Sequence, residues 1–309
     1  MKYDPQNIPL LDVLKKQNRL RERMLKQGEI ANRYISPIIK GIDVNTTSMI
    51  SRTMKSIEKQ QIFIDSFLKQ DRMVELFEKI RRGIVQTQED INIFKVAMVK
   101  LGYPPHYDVD TRQMRMIARD YVENKDQVAE YIDEFMAINY DAEAISEMLI
   151  KWEGKPFLDK RIQILRNVVR SHNQGMYHLS VLGIISQYEG IIVDAFNVTG
   201  HVNGKIQEIL LMNLLIQENI GSFRFDREIL DYYVFNILVP FHHGEKVISE
   251  VSRHAILHGG FADFGKESIS LKVILLFDFL VDAIEDLTPE RIEEGMKAVE
   301  QQRNKKRKK

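Results

Sequence analysis

The sequence predicts an all-α fold, and three observations support this prediction. Leu, Ile, Glu, Lys, Gln and Met dominate the composition, and most of them favour helices. Proline and glycine are scarce, with 8 and 16 positions among 309 residues. Apolar residues recur at helical spacing through most of the chain, and no alternating run indicates a strand. We therefore expect a C-terminal helical bundle preceded by an N-terminal helical region.

The composition limits the classes of function. Lys plus Arg and Asp plus Glu both number 44, so the formal net charge is zero and any contact with nucleic acid must be local. The absence of cysteine excludes disulfides, thiolate zinc sites and cysteine nucleophiles. No stretch approaches the roughly 20 uninterrupted apolar residues of a membrane span. We expect a soluble, cytoplasmic protein that makes no contact with a membrane.

Apolar residues at helical spacing predict amphipathic helices in the N-terminal region, residues 1–152. One long helix, or two joined near Asp71, is expected over residues 45–82, and another over residues 88–100. Pro104 and Pro105 cannot continue this second helix. Three helices should follow, with caps at Asp110 and at residues 139–141, over residues 111–124, 125–139 and 141–152. We expect this region to sense a signal or bind a partner.

In the second half, residues 153–288, we expect longer and more apolar helices. Their predicted ranges are 159–172, 177–196, 204–218, 226–239, 243–257 and 268–285. The helix over residues 177–196 is apolar around most of its circumference, which predicts a place in the middle of a bundle. Short connections favour antiparallel packing. Residues 289–309 should form a C-terminal helix with a disordered basic tail, because six of the last seven residues are cations.

One short segment near the C-terminal end contains residue types that suit the cleavage of RNA. Arg253 is followed by a polar residue, His254, and then by His258 after four intervening residues. Gly259 and Gly260 should end the helix directly after this histidine. We interpret Arg253, His254 and His258 as candidate catalytic residues.

The spacing alone does not identify a site. An Arg and a His separated by five residues also occur at Arg166 and His172, and composition predicts roughly 1.6 such pairs by chance. We expect this second pair to stabilise the end of a helix. Arg253 and His258 are favoured as the site because they lie late in a helical domain, next to a helix-ending glycine pair.

The string RHAILHG at residues 253–259, the apolar helix over 270–277 and the stretch at 187–192 resemble the HEPN superfamily. Its members are small helical bundles in which an Arg and a His are separated by four to six residues. The resemblance covers roughly residues 157–287 and is to bacterial proteins linked to abortive infection and other phage defence. It implies a ribonuclease that acts on RNA as a homodimer, in which the two sites face each other. It also implies that a neutralising or sensing protein can be a partner.

The candidate residues suit RNA cleavage without a metal or another cofactor. Attack by the 2′-hydroxyl needs a base, an acid and positive charge beside the phosphorane. His258 can be the acid or the base near neutral pH, and Arg253 can hold phosphate oxygens. His254 would support them by hydrogen bonding. The expected products carry a 2′,3′-cyclic phosphate and a 5′-hydroxyl, as the resemblance also implies. One histidine cannot easily do both proton transfers, which favours a dimer in which each of two copies of the chain supplies one imidazole.

Several alternatives remain open. Glu189 lies in an apolar helix, where it could orient a catalytic histidine or pair with a buried cation. Arg253 and His258 could instead be cations that stabilise the C-terminal end of a helix. His254 and His258 have the spacing of metal ligands, which would suit a metal-dependent enzyme. A protein of another class, a helical adaptor that dimerises or binds RNA or a nucleotide without cleavage, would also fit.

Overall fold

The computed structural model describes residues 71–216 and 225–307. Every regular element within these two ranges is helical, so the all-α class is confirmed for them. No helix among the described residues is both long and apolar enough to cross a membrane. The helix expected before Asp71, the end of the helix expected over residues 204–218, and the last two residues of the basic tail lie outside the described ranges.

Between residues 71 and 153 the structure describes four α-helices: α1 (Asp71–Lys100), α2 (Thr111–Glu123), α3 (Lys125–Asn139) and α4 (Ala142–Glu153). The predicted caps are confirmed. Asp110 and the side chain of Gln113 form a capping box at the start of α2. The Asp141 carboxylate accepts hydrogen bonds from the backbone of Glu143 and Ala144 at the start of α4. The gap expected between residues 82 and 88 is absent, because α1 continues through Gly83.

The second half contains a 3₁₀ turn followed by further helices, one of which ends in a π turn. In chain order these are the 3₁₀ turn (Pro156–Arg161), α5 (Ile162–Asn173), α6 (Tyr177–Ile185), α7 (Tyr188–Ala195), α8 (Gly204–Leu215), α9 (Asp226–Tyr232), the π turn (Tyr233–Ile237), α10 (Arg253–Leu257), α11 (Glu267–Glu285) and α12 (Pro289–Arg307).

Three predicted elements of this half are wrong. The helix expected over residues 177–196 is interrupted at Ser186, whose hydroxyl donates to the carbonyl of Gly183. The helix expected over residues 243–257 forms only from Arg253, and Gly244 has φ of 86°, a left-handed conformation that an α-helix does not contain. The basic tail is helical through Arg307, and the Arg303 guanidinium donates to the carbonyls of Thr199 and His201.

The core of the bundle lies around α11. Almost every side chain of this helix is buried, and it packs against α3, α6, α7 and α8. Leu179 and Leu182 of α6 are 58% and 37% exposed, so one face of this helix lies at the surface, although α6 also packs against α5 and α11. Trp152 of α4 is fully buried, and its ring lies 5.1 Å from that of Phe277 in α11.

The chain divides into two compact units between Gln86 and Thr87. The unit that begins at Thr87 contains helices from both sides of residue 152, because α3 and α4 both contact α11. The boundary predicted between residues 152 and 153 therefore falls inside this unit. The sensing role expected for residues 1–152 remains a prediction.

Candidate active site

The helix α10 carries the candidate catalytic residues and is less than two turns long. The Ser252 hydroxyl accepts a hydrogen bond from the Ala255 backbone, which caps its N-terminal end. Gly259 has φ of 72°, and the Gly260 backbone N–H donates to the Ala255 carbonyl at 2.8 Å. Such left-handed glycines end helices. Arg253 is therefore the first residue of α10, and the prediction that the glycine pair ends the helix is confirmed.

Arg253 is held by the acidic residue of α7. Its Nη2 lies 3.1 Å from Oε2 of Glu189, and both side chains are largely buried. The Gln207 side chain on α8 donates to the same oxygen at 2.6 Å. The Tyr233 hydroxyl in the π turn lies 3.5 Å from Oε1 of Gln207, at the outer limit of a hydrogen bond. Of the two roles left open for Glu189, the structure thus shows the pairing with a cation.

The hydrogen bonds of the Arg253 guanidinium are incomplete. Its Nε is buried and has no hydrogen-bond partner within the described ranges. An unsatisfied buried donor costs about 1–3 kcal/mol. Burial raises the pKa of Tyr233, Arg253 opposes this rise and Glu189 adds to it, so the phenol stays protonated and able to donate. The site therefore contains one cation whose donor groups are only partly used.

His254 and His258 lie on one face of α10. Their rings are parallel, with an interplanar angle of 1°, and their centroids are 6.0 Å apart. Burial lowers the pKa of His254, and the charges of Arg253 and His258 lower it further. At neutral pH His254 is therefore uncharged and has one donor and one acceptor nitrogen. His258 is exposed to solvent, which leaves its imidazole accessible to a substrate.

The two main candidates point in different directions within one protomer. Five helical residues correspond to about 140° of rotation and about 7.5 Å of rise. Arg253 is turned towards Glu189, and no hydrogen bond joins it to either histidine in the part of the chain that the structure describes. The structure thus brings Arg253 together with Glu189, and His254 with His258, as two adjacent pairs. Because Arg253 begins the helix, it is not a C-terminal helix cation.

The second pair that matches the spacing has a different environment. Arg166 Nε donates to Glu153 on α4 at 2.7 Å. His172 lies in the last turn of α5, is buried, and its Nδ1 lies 2.8 Å from the Ser270 hydroxyl. Burial lowers the pKa of His172 to about 4. This imidazole is uncharged and inaccessible, so the pair contributes to packing between helices.

A buried polar cluster around Asp278 was not foreseen from the sequence. The Asp278 carboxylate on α11 accepts hydrogen bonds from Trp152 Nε1 at 2.7 Å and Lys151 Nζ at 3.0 Å, and lies 3.2 Å from His106 Nε2. Burial opposes ionisation, but these partners hold the pKa of Asp278 below its ordinary value. The usable signals were an Asp inside an apolar helix and the chain's lone tryptophan.

Comparison with protein-family models, with curated proteins and with solved structures gives no match. The function of the site can therefore be inferred only from the arrangement of its residues. An exposed imidazole can transfer a proton, and a guanidinium that is partly exposed can bind a phosphate. These two groups lie at opposite ends of one short helix, which suits a polyanionic substrate that passes across α10.

Proposed function

We propose that the protein is a metal-independent endoribonuclease of the HEPN type, which acts as a homodimer in bacterial phage defence or in a toxin-like role. The observation that carries this proposal is the exposed His258 one short helix away from Arg253, whose side chain remains 20% exposed. The resemblance of residues 253–259 to HEPN proteins supports the same function. The RNA would bind across α10.

The reaction needs two proton transfers at one phosphodiester. His258 of one protomer removes the proton of the 2′-hydroxyl, and the 2′-oxygen forms a bond to phosphorus. The bond from phosphorus to the 5′-oxygen then breaks, and the leaving oxygen takes a proton from His258 of the partner subunit. Arg253 neutralises the charge of the phosphorane. The products carry a 2′,3′-cyclic phosphate and a 5′-hydroxyl, and a two-fold axis supplies the second imidazole.

Glu189 acts in this scheme by positioning Arg253. The ion pair fixes one end of the guanidinium through Nη2, while Gln207 fixes the carboxylate. The Arg253 side chain remains 20% exposed, and a phosphate oxygen would accept hydrogen bonds from the guanidinium there. Such charged hydrogen bonds are stronger than neutral ones. His254 stays uncharged and donates a hydrogen bond to the phosphate or to the other imidazole.

The reaction type is tested by incubating the full chain with a 5′-labelled single-stranded RNA in excess EDTA, followed by analysis of the product ends. We expect cleavage in EDTA, with cyclic phosphate and 5′-hydroxyl ends. Intact RNA with binding retained would contradict the proposal and select the non-catalytic adaptor. Cleavage that stops in EDTA and returns with Zn²⁺ or Mn²⁺ would instead select metal ligation by His254 and His258.

A further inference from the structure

A cavity of about 580 Å³ lies beside the buried polar cluster of Asp278. Sites for small organic ligands occupy roughly 300–1,000 Å³, so this cavity is large enough for one. Its lining combines aromatic rings, among them Tyr107 and Phe279, with charged side chains that include Lys151 and Asp282. It shares no residue with the site at Arg253 and His258, and its ligand does not depend on the function proposed for that site.

One wall of the cavity presents a hydrogen-bond donor next to an acceptor. Lys151 Nζ donates to Asp278 at 3.0 Å and to Asp282 at 2.9 Å, which uses two of its three N–H groups. Within the described ranges, the hydrogen bonds of Asp282 involve Oδ2 alone, so Oδ1 is left for a ligand. Burial raises the pKa of Asp282 to about 6, so the carboxylate is mostly ionised above neutral pH.

Another wall presents an aromatic surface that is held in place. Tyr107 is 41% exposed, and its ring stacks on that of His106 with centroids 4.9 Å apart. His106 is itself fixed between Asp278 and the Tyr140 hydroxyl, which lies 2.9 Å from Nδ1. Phe279 supports the Tyr107 ring at 5.7 Å between centroids. A flat ligand can stack here without reorganising the protein.

The same cluster contains three groups at the spacing of metal ligands, namely His106, Asp108 and Asp278, whose ligand atoms lie within 4.8 Å of one another. The Lys151 ammonium already bonds to Asp278, and both ring nitrogens of His106 have partners. A divalent cation would have to displace a positive charge and a hydrogen bond. The geometry therefore favours an organic ligand in the neighbouring cavity over a metal ion at the cluster.

We propose that the cavity binds a guanine base, as the free base or the nucleoside, which stacks on Tyr107 and presents its edge to Lys151 and Asp282. Guanine carries an acceptor, O6, beside two donors, N1–H and the N2 amino group. The ammonium donates to O6, and the carboxylate accepts from the donors. Four carboxylate side chains and two lysines line the cavity, so a phosphorylated ligand binds less well.

Isothermal titration of the full chain at pH 7.5 with guanosine, adenosine and guanosine 5′-monophosphate tests this proposal. We expect guanosine to bind at least tenfold more tightly than adenosine, which lacks the acceptor at position 6, and more tightly than the monophosphate. Absence of guanosine binding, or equal affinity for the two nucleosides, would overturn the proposal. Stronger binding of the monophosphate would contradict the electrostatic argument and overturn it as well.

Substitutions in the lining of the cavity test whether guanosine binds there. Asp282→Asn keeps the shape of the side chain, and Tyr107→Ala removes the stacking surface; each should weaken guanosine binding at least tenfold. Asp263→Asn, at an exposed carboxylate outside the cavity, is the matched control and should leave the affinity unchanged. Thermal unfolding followed by circular dichroism checks that each variant is folded. Guanosine affinity that is unchanged in both folded cavity variants would overturn the assignment.

Discussion

Arg253 Nη2 lies 3.1 Å from Glu189 Oε2, which joins the first residue of α10 to the first turn of α7. This ion pair holds the guanidinium at one end of a helix whose other end carries the exposed His258. Gln207 donates to the same carboxylate oxygen from α8. Three helices thus determine where the guanidinium of Arg253 lies, and the proposed function depends on that position.

Replacing Glu189 should slow RNA cleavage without weakening RNA binding. Glu189→Gln keeps the shape but removes the charge that holds Arg253, so we expect kcat to fall about tenfold while KM stays within about twofold. Glu153→Gln, at the carboxylate that pairs with Arg166, is the matched control and should leave both constants unchanged. Steady-state cleavage kinetics measure the effect. An unchanged kcat in Glu189→Gln would show that the ion pair serves stability alone.

Asp278 should be among the most important residues for stability. It is fully buried and accepts hydrogen bonds from Trp152 and Lys151. Removing one member of a buried charged pair costs about 3–5 kcal/mol, because the partner is left unpaired. We expect Asp278→Ala to lower the free energy of unfolding by about this amount. Urea denaturation measures it, and a loss below about 1 kcal/mol would contradict the network.

Close packing of α5 on α6 requires a glycine at position 183. A Cβ on Gly183 would lie 2.7 Å from Val168 Cγ2, so Gly183→Ala should cost about 1–3 kcal/mol of unfolding free energy. Gly204, at the start of α8, has no atom within 4 Å of such a Cβ, so Gly204→Ala is the matched control and should be neutral or slightly stabilising. Equal effects in the two variants, measured by thermal unfolding, would refute the close contact.

His172 should make stability depend on pH in acid. Burial lowers its pKa to about 4, whereas the ordinary value is 6.5, so the unfolded chain binds the extra proton between these values. Its contribution is present above pH 6.5 and is lost as the pH falls towards 4. Asp282, whose raised pKa is about 6, has the opposite slope, so the wild type must be compared with a variant.

His172→Gln isolates this effect. Between pH 7 and pH 4.5 the wild type should lose more unfolding free energy than the variant, by about 2 kcal/mol. Urea denaturation at the two pH values measures the difference. Parallel losses in the two proteins would mean that His172 is not held neutral by the fold.

Local signals in the sequence were sufficient for part of the fold. Helix formers and scarce proline predicted the all-α class, and the side chains of Asp110 and Asp141 predicted caps that the structure contains. Gly259 predicted the end of α10, since a left-handed conformation there needs only local geometry. These features depend on neighbours within four residues, which is why the sequence alone revealed them.

Features that depend on distant residues could not be predicted in the same way. The apolar run over residues 177–196 has helical spacing, yet the helix is interrupted at Ser186. The charged tail was expected to be disordered, yet Arg303 bonds to carbonyls more than 100 positions earlier in the chain. For the site, Glu189 was singled out, but its cation partner could not be chosen without knowing how α7 and α10 pack.

The rate of RNA cleavage by His258→Ala and Arg253→Ala tests the ribonuclease proposal most directly. Exposed residues of the same types provide matched controls, His201→Ala and Arg227→Ala. We expect a loss of about 100-fold or more in each site variant, as for removal of a general acid or base, and wild-type rates in both controls. Wild-type rates in folded His258→Ala and Arg253→Ala would contradict the account.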